Sequence, residues 1–150
     1  MMKGQGSTEY LMVFGAVLLI ALIAVVMLGF FPSLATDAQI AASSQYWRSE
    51  ARPFAIVEHT ISTGGNGSVL LENVDGRRKL TVTSITVGNG TNSSSHTFMP
   101  GDTYIFAAPG ITAGGPTDAI NETGANLTYS DVNGLTSAEY GSKALVGRYS

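Results

Sequence analysis

Side chains able to do chemistry are sparse in this chain of 150 residues, and their spacing suits little catalysis. No cysteine is present, which excludes disulfides and thiolate nucleophiles. The two histidines, His59 and His96, are far apart in sequence, and neither stands in a metal-ligating spacing such as H-x-x-x-H. A nucleophile would therefore have to be a Ser or Thr beside one of them, and no enzyme is expected on that basis. Asp102, Asp118, Glu122 and Asp131 fall in Gly-rich stretches whose oxygens could suit calcium. The EF-hand spacing is absent, so solvated loop carboxylates are the plainer reading, with no metal and no cofactor. Arg77-Arg78-Lys79, after the turn signal Asp75-Gly76, reads as the solvated end of a hairpin or, alternatively, as a contact patch.

One carboxylate stands apart. Glu9 is the last charged residue before an uncharged run that reaches to Asp37 and is filled almost wholly by Leu, Ile, Val, Ala, Met and Phe. As a helix, Tyr10 to Ala35 spans roughly 39 Å at about 1.5 Å per residue, more than the ~30 Å hydrocarbon core of a bilayer. A core helix of a soluble domain would carry a polar stripe at 3.6-residue spacing, and this run carries none. A secretory signal peptide has its small residues after the apolar region. Here the small residues and Lys3 come before it, so the run is expected to be retained. In a plain membrane anchor, Glu9 would lie among the headgroups, where a first-turn carboxylate is favoured by the helix dipole at about 0.3–1 kcal/mol.

The order Gly4-Gln5-Gly6-Ser7-Thr8-Glu9-Tyr10-Leu11, abutting the apolar run, resembles the class III signal peptide of archaeal type IV prepilins, with its G|Q-x-S-x-E-Y/F-L arrangement. The resemblance covers the leader and the first helix. It implies a structural subunit of an archaeal type IV pilus, used for surface adhesion. A prepilin peptidase would cut between Gly4 and Gln5, and the mature chain would form a homopolymer through its N-terminal helices. An assembly ATPase and a membrane platform protein are implied partners, since the chain carries no nucleotide loop. In a fibre core an isolated carboxylate is costly to bury. The partner implied for Glu9 is the new α-amine at Gln5 of a neighbouring subunit; cyclisation of Gln5 to a neutral lactam would remove that cation. Two other readings stand beside this one. An archaellin, the subunit of the rotating archaeal filament, shares the leader logic but usually has a different, Gly/Ile-rich start. A membrane-anchored surface glycoprotein that never polymerises is the other.

The remaining sequence lives in a different solvent. A net charge of −3 without a long basic tract argues against a nucleic-acid partner. Lys3 is the only cation near the start of the apolar run, which predicts a precursor in the cytoplasmic membrane with its N-terminus inside and the rest outside. Five N-x-[ST] sequons, at Asn66, Asn89, Asn92, Asn121 and Asn126, all lie beyond the helix and point to a glycosylated, extracellular surface.

Past Ala35 the helix is expected to continue to about Glu50 in an Ala-rich, amphipathic stretch. Ile40, Ser44, Trp47 and Ala51 share one face there, so Ile40 and Trp47 should pack the helix onto the following domain. Gly29 and Pro32 predict a bend over Leu28 to Pro32, and Pro53 marks the end. From Phe54 on, the signals are strands and turns. Strands are expected at 54–61, 69–73 and 80–87, the last with a bulge where its alternation changes phase between Val82 and Ile85. A hairpin is expected at 97–108 around Pro100-Gly101-Asp102, with Tyr104 and Phe106 on one face. A long loop over 109–126 and two final strands, 127–132 and 143–149, complete the expectation. The fold class is α+β, a long hydrophobic N-terminal helix followed by a small antiparallel β-sandwich-like domain. Its parts are a leader at 1–4, a transmembrane and filament-core helix at 5–52, and an extracellular β domain at 53–150.

Overall fold

The computed structural model describes residues 5–116 and 118–150. Helix α1 runs Gln5–Gln45 and ends in a π-helical turn, Tyr46–Glu50. The amide of Ala51 still donates to the Tyr46 carbonyl at 3.0 Å, but Ala51 itself is extended, at φ −61° and ψ 132°. Pro53 follows, joined to Arg52 by a cis peptide bond, and its ring cannot continue a helical ladder. The bend expected over Leu28 to Pro32 falls inside α1, which is helical through those positions; the side chains of 30–33 lie outside the description. The chain divides into two compact units, one up to Asp37 and one from Ala38 onward. The first is α1 without its last turns. The second holds those turns, the π-helical turn and all ten strands.

These strands are β1 (Phe54–Ile61), β2 (Gly67–Asn73), β3 (Leu80–Val87), β4 (Gly90–Asn92), β5 (His96–Phe98), β6 (Thr103–Ala108), β7 (Ala119–Glu122), β8 (Asn126–Asp131), β9 (Thr136–Tyr140) and β10 (Leu145–Arg148). They form antiparallel sheets, so the class is α+β as expected. One sheet has the order β1-β2-β6; a second runs β4-β3-β8-β9 with β5 also on β3; β10 and β7 form a separate pair. Val69, Leu71 and Phe106 of the first sheet share one apolar cluster with Leu80, Val82, Ile85, Phe98 and Leu127 of the second. The Phe54 ring meets that of Phe98 edge-on, with centroids 5.2 Å apart. Apolar residues at every second position of β2 and β3 supply the inward faces. Between Val82 and Ser84 the register of β3 against β8 slips, which is the expected bulge. Thr83, in the slip, donates from its hydroxyl to the Thr128 carbonyl at 3.1 Å.

Several expected connections are different. Asp75-Gly76 closes no hairpin, because β2 and β3 belong to different sheets. The same holds for Pro100-Gly101-Asp102, since β5 pairs with β3 and β6 with β2. Both corners are held by Asn73, which is fully buried. Its Nδ2 donates to the carbonyls of Arg78 and Met99, at 2.9 and 3.3 Å, and its Oδ1 accepts the Asp75 amide at 3.0 Å. The Gly101 amide donates to the Asn73 carbonyl at 2.8 Å, with Gly101 in the left-handed region at φ +82°. The turn residues were legible as turns; their attachment to a side chain of β2 converts two hairpins into crossovers between sheets.

Within the expected loop 109–126 lies β7, which buries Ile120 and pairs with β10. Nor do 127–132 and 143–149 face each other across Asn133-Gly134. The strand opposite β8 is β9, with Asn126 opposite Tyr140 and Ser130 opposite Thr136. Its sequence, Thr-Ser-Ala-Glu-Tyr, hides the strand because the inward position is occupied by Glu139. Tyr104 and Phe106 do share a face, with ring centroids 5.1 Å apart.

Candidate functional site

The surface of α1 is the first candidate. From Tyr10 to Leu28 its large apolar side chains stand open, among them Leu18, Leu19, Ile20, Leu22 and Ile23. The helix is long and apolar enough to cross a membrane: the best 18-residue window has a mean hydropathy of 3.1, and none of it is buried within the chain. Leucine, isoleucine and valine favour burial by roughly 1.5–3 kcal/mol each, so this surface calls for lipid or protein against it. Tyr10 and Phe14, one turn apart, stack with ring centroids 6.4 Å apart. Glu9 is exposed and stands about one turn after Gln5, where the described part of α1 begins. Gln5 opens α1 among the described residues. Gly4 lies outside the described residues, and the expected Glu9 pairing involves a second copy.

The second candidate is the end of α1 within the compact unit that begins at Ala38. Trp47 is 1% exposed, while Ile40 and Ser44 are half-buried. The indole is received by Gly141: a Cβ there would collide with the Trp47 ring and approach the Ala125 carbonyl. Sequence spacing missed Ser43, which is buried and bridges to the strand region by donating to the Ala144 carbonyl at 2.8 Å and accepting the Val146 amide at 3.0 Å. Tyr46 adds a hydroxyl that accepts the Ser142 amide at 3.0 Å. Beside Trp47 is a groove of about 230 Å³, whose wall includes Arg48, His59 and Arg148. Arg48 donates through Nε to the Val57 carbonyl, at the bulge of β1. Burial pushes the His59 imidazole below its usual range, against a hydrogen bond to the Val146 backbone and the nearby Glu58 carboxylate.

Three of the four acidic residues considered for calcium, Asp102, Asp118 and Asp131, already accept backbone amides in their own loops. Asp102 Oδ2 accepts the Met99 amide at 2.9 Å, and Asp118 Oδ2 accepts the Gly115 amide at 2.6 Å. Asp131 Oδ1 accepts the amides of Asn133 and Leu135, each at 2.9 Å, and these bonds, Leu135 foremost, hold its carboxyl below the usual range. Among the described residues no group of three or more His, Asp or Glu could hold a metal. Arg78 turns back to Asp75, Nε to Oδ2 at 2.6 Å, and that bond is the main reason the Asp75 carboxyl lies low.

Of the sequon asparagines, Asn66, Asn89 and Asn121 are exposed, whereas Asn92 and Asn126 are half-buried. Asn92 is engaged: its Nδ2 donates to the Ala107 carbonyl at 2.5 Å and its Oδ1 accepts the Ser94 amide at 2.8 Å.

The described residues comprise one membrane-length apolar helix and an antiparallel β domain. Comparison with protein-family models and with curated proteins finds no match for the chain.

Proposed function

We propose that this chain is the precursor of a filament subunit of the archaeal type IV pilin kind. A prepilin peptidase cuts between Gly4 and Gln5, and the retained helix passes from the membrane into a fibre core built from copies of itself. The observation that carries this reading is the uncharged stretch of α1 from Tyr10 to Leu28, whose apolar side chains are exposed among the described residues. Lipid covers such a surface in the precursor, and neighbouring helices cover it in a polymer. Because lipid tails are as apolar as leucine, assembly rests on close helix packing and needs work from outside the subunit. An ATPase and a membrane platform supply that work. The β domain coats the fibre and meets the surroundings, with adhesion as its use, and glycans attach at sequon asparagines.

The N-terminal residue of protein recovered from the cell surface tests this reading. Material beginning at Gln5 is the expected outcome; material beginning at Met1, or downstream of Phe31, overturns it. Shearing cells separates a filament from a solitary surface glycoprotein, since only the former comes off as polymer. Loss of swimming rather than attachment on deletion would point to an archaellin.

A further inference from the structure

Strand alternation divides the five-stranded sheet into a buried face and an outward one. Ile85, Leu127 and Glu139 are buried, so their neighbours Thr86, Asn126 and Tyr140 turn outward, from β3, β8 and β9 in that order. The three stand in one row across the sheet, with Asn126 directly opposite Thr86 on one side and Tyr140 on the other. Because the Gly141 amide donates to the Ala125 carbonyl at 3.0 Å, the adjoining pair Asn126–Tyr140 is a non-hydrogen-bonded one, the kind whose side chains lie closest. The Tyr140 ring is 73% exposed. Ser84, Thr128, Ser130 and Thr136 add hydroxyls to the same face by register, and the outward positions of β8 and β9 carry no charge. Asn126 also opens the sequon Asn126-Leu127-Thr128, and the two-residue period of a strand sets Asn126 and Thr128 side by side on this face. Among the described residues the Asn126 side-chain amide has no hydrogen-bond partner, whereas that of Asn92 is committed to the Ala107 carbonyl.

We propose that Asn126 carries an N-linked glycan seated on this face, with the C–H side of its first sugar against the Tyr140 ring and its hydroxyls bonded to Thr86 and Thr128. This rests on the reading of a glycosylated surface and names the site and seat that the fold provides for it. In the transfer, Asn126 Nδ2 forms a bond to C1 of an oligosaccharide carried on a polyprenyl phosphate. The C1–O bond to the carrier breaks, the carrier phosphate leaves with the bonding pair, and the side-chain amide gives up one proton. The sugar projects away from the core, so the packing of Ile85 and Leu127 beneath it is kept. A neutral polyhydroxyl group suits a face without charge, where each Ser or Thr hydroxyl both donates and accepts. Tyr140 offers the sugar an apolar ring with a polar tip.

Glycopeptide mass spectrometry and melting curves of full-length protein, isolated from the cells that make it, test the proposal together. The peptide containing Asn126 should carry the sugar. Thr128→Ala, which breaks the sequon and keeps Asn126, should lose that mass, while Thr128→Ser should retain it. Tyr140→Ala should lower the melting midpoint by at least roughly 4 °C more in the glycosylated chain than in the Thr128→Ala chain, since the ring and the sugar act as a coupled pair. A bare Asn126 peptide, or an equal effect of Tyr140→Ala with and without the sugar, overturns the proposal. A bare Asn126 beside sugars on Asn66 or Asn89 does so while leaving the glycosylated surface standing, and the filament reading is decided separately by the N-terminal residue.

Discussion

The Glu139 carboxylate accepts the backbone N–H of Phe54 at 3.0 Å, tying the edge strand β9 to the first residue of β1. Glu139 is buried, its other oxygen has no hydrogen-bond partner, and burial pushes its carboxyl up to about 7 against the opposing pull of that N–H and of Arg52. Raising a carboxyl from its ordinary 4.5 to about 7 corresponds to roughly 3 kcal/mol against the charged form.

The sign follows from linkage. The folded state binds the proton more tightly than the unfolded state, so this contribution is complete below the ordinary value of 4.5 and is lost as pH rises through about 7. Thermal melts of the full chain should fall in midpoint between pH 5 and pH 8. Glu139→Gln, which keeps an acceptor for the Phe54 N–H, should remove most of that decline and be the more stable protein at pH 8, by up to about 3 kcal/mol. An unchanged decline in the variant would assign the pH dependence to another group.

Asp75 and Asp131 act in the opposite direction. Both carboxyls lie below the ordinary 3.8, so their contribution is present above that value and is lost as pH falls through their lower folded values. Asp131→Asn should flatten the acid side of the stability profile and leave the alkaline side untouched.

Asn73 is the residue whose loss should affect the domain most among its polar groups. Asn73→Ala strands the carbonyls of Arg78 and Met99 and the amide of Asp75, with an expected cost of about 1–3 kcal/mol for each such group left buried and unpaired. Asn73→Asp retains the acceptor but no donor and should be nearly as damaging. Denaturant midpoints of the two variants check this.

At Gly141 the test is steric. Gly141→Ala places a methyl against the Trp47 ring, and overpacking of this kind costs typically 1–3 kcal/mol. Trp47 is the sole tryptophan, so a red shift in its emission should accompany the loss. Gly76→Ala, with open space around the added methyl, is the matched control.

The parts legible in the sequence were those governed by local pattern. The apolar run, the burial of Trp47, the first three strands and the phase slip in β3 all follow from periodicity over a few residues. The partners of the turns were not legible. Asp75-Gly76 and Pro100-Gly101-Asp102 look alike whether they reverse a chain within one sheet or carry it to another, and the choice is made by the Asn73 side chain. Strand β9 escaped because a buried carboxylate breaks its apolar alternation, and β7 because only Ile120 of its four residues is buried. Ser43 gave no apolar signal, since its role is two hydrogen bonds rather than contact area.

The crossovers that Asn73 holds also govern how the domain can fold. Because β2 and β3, and again β5 and β6, follow one another in the chain yet lie in different sheets, few strands can zip up from a local turn; the hairpins β1-β2, β3-β4 and β8-β9 are the exceptions. The remaining pairings join distant segments, such as β2 with β6 and β7 with β10, and topologies dominated by such closures fold in milliseconds to seconds rather than microseconds. The core includes Leu145 of β10, and Ile61 of β1 is bridged to Tyr149. A chain made from its N-terminal end thus holds an open, unfinished sandwich until β10 has joined it.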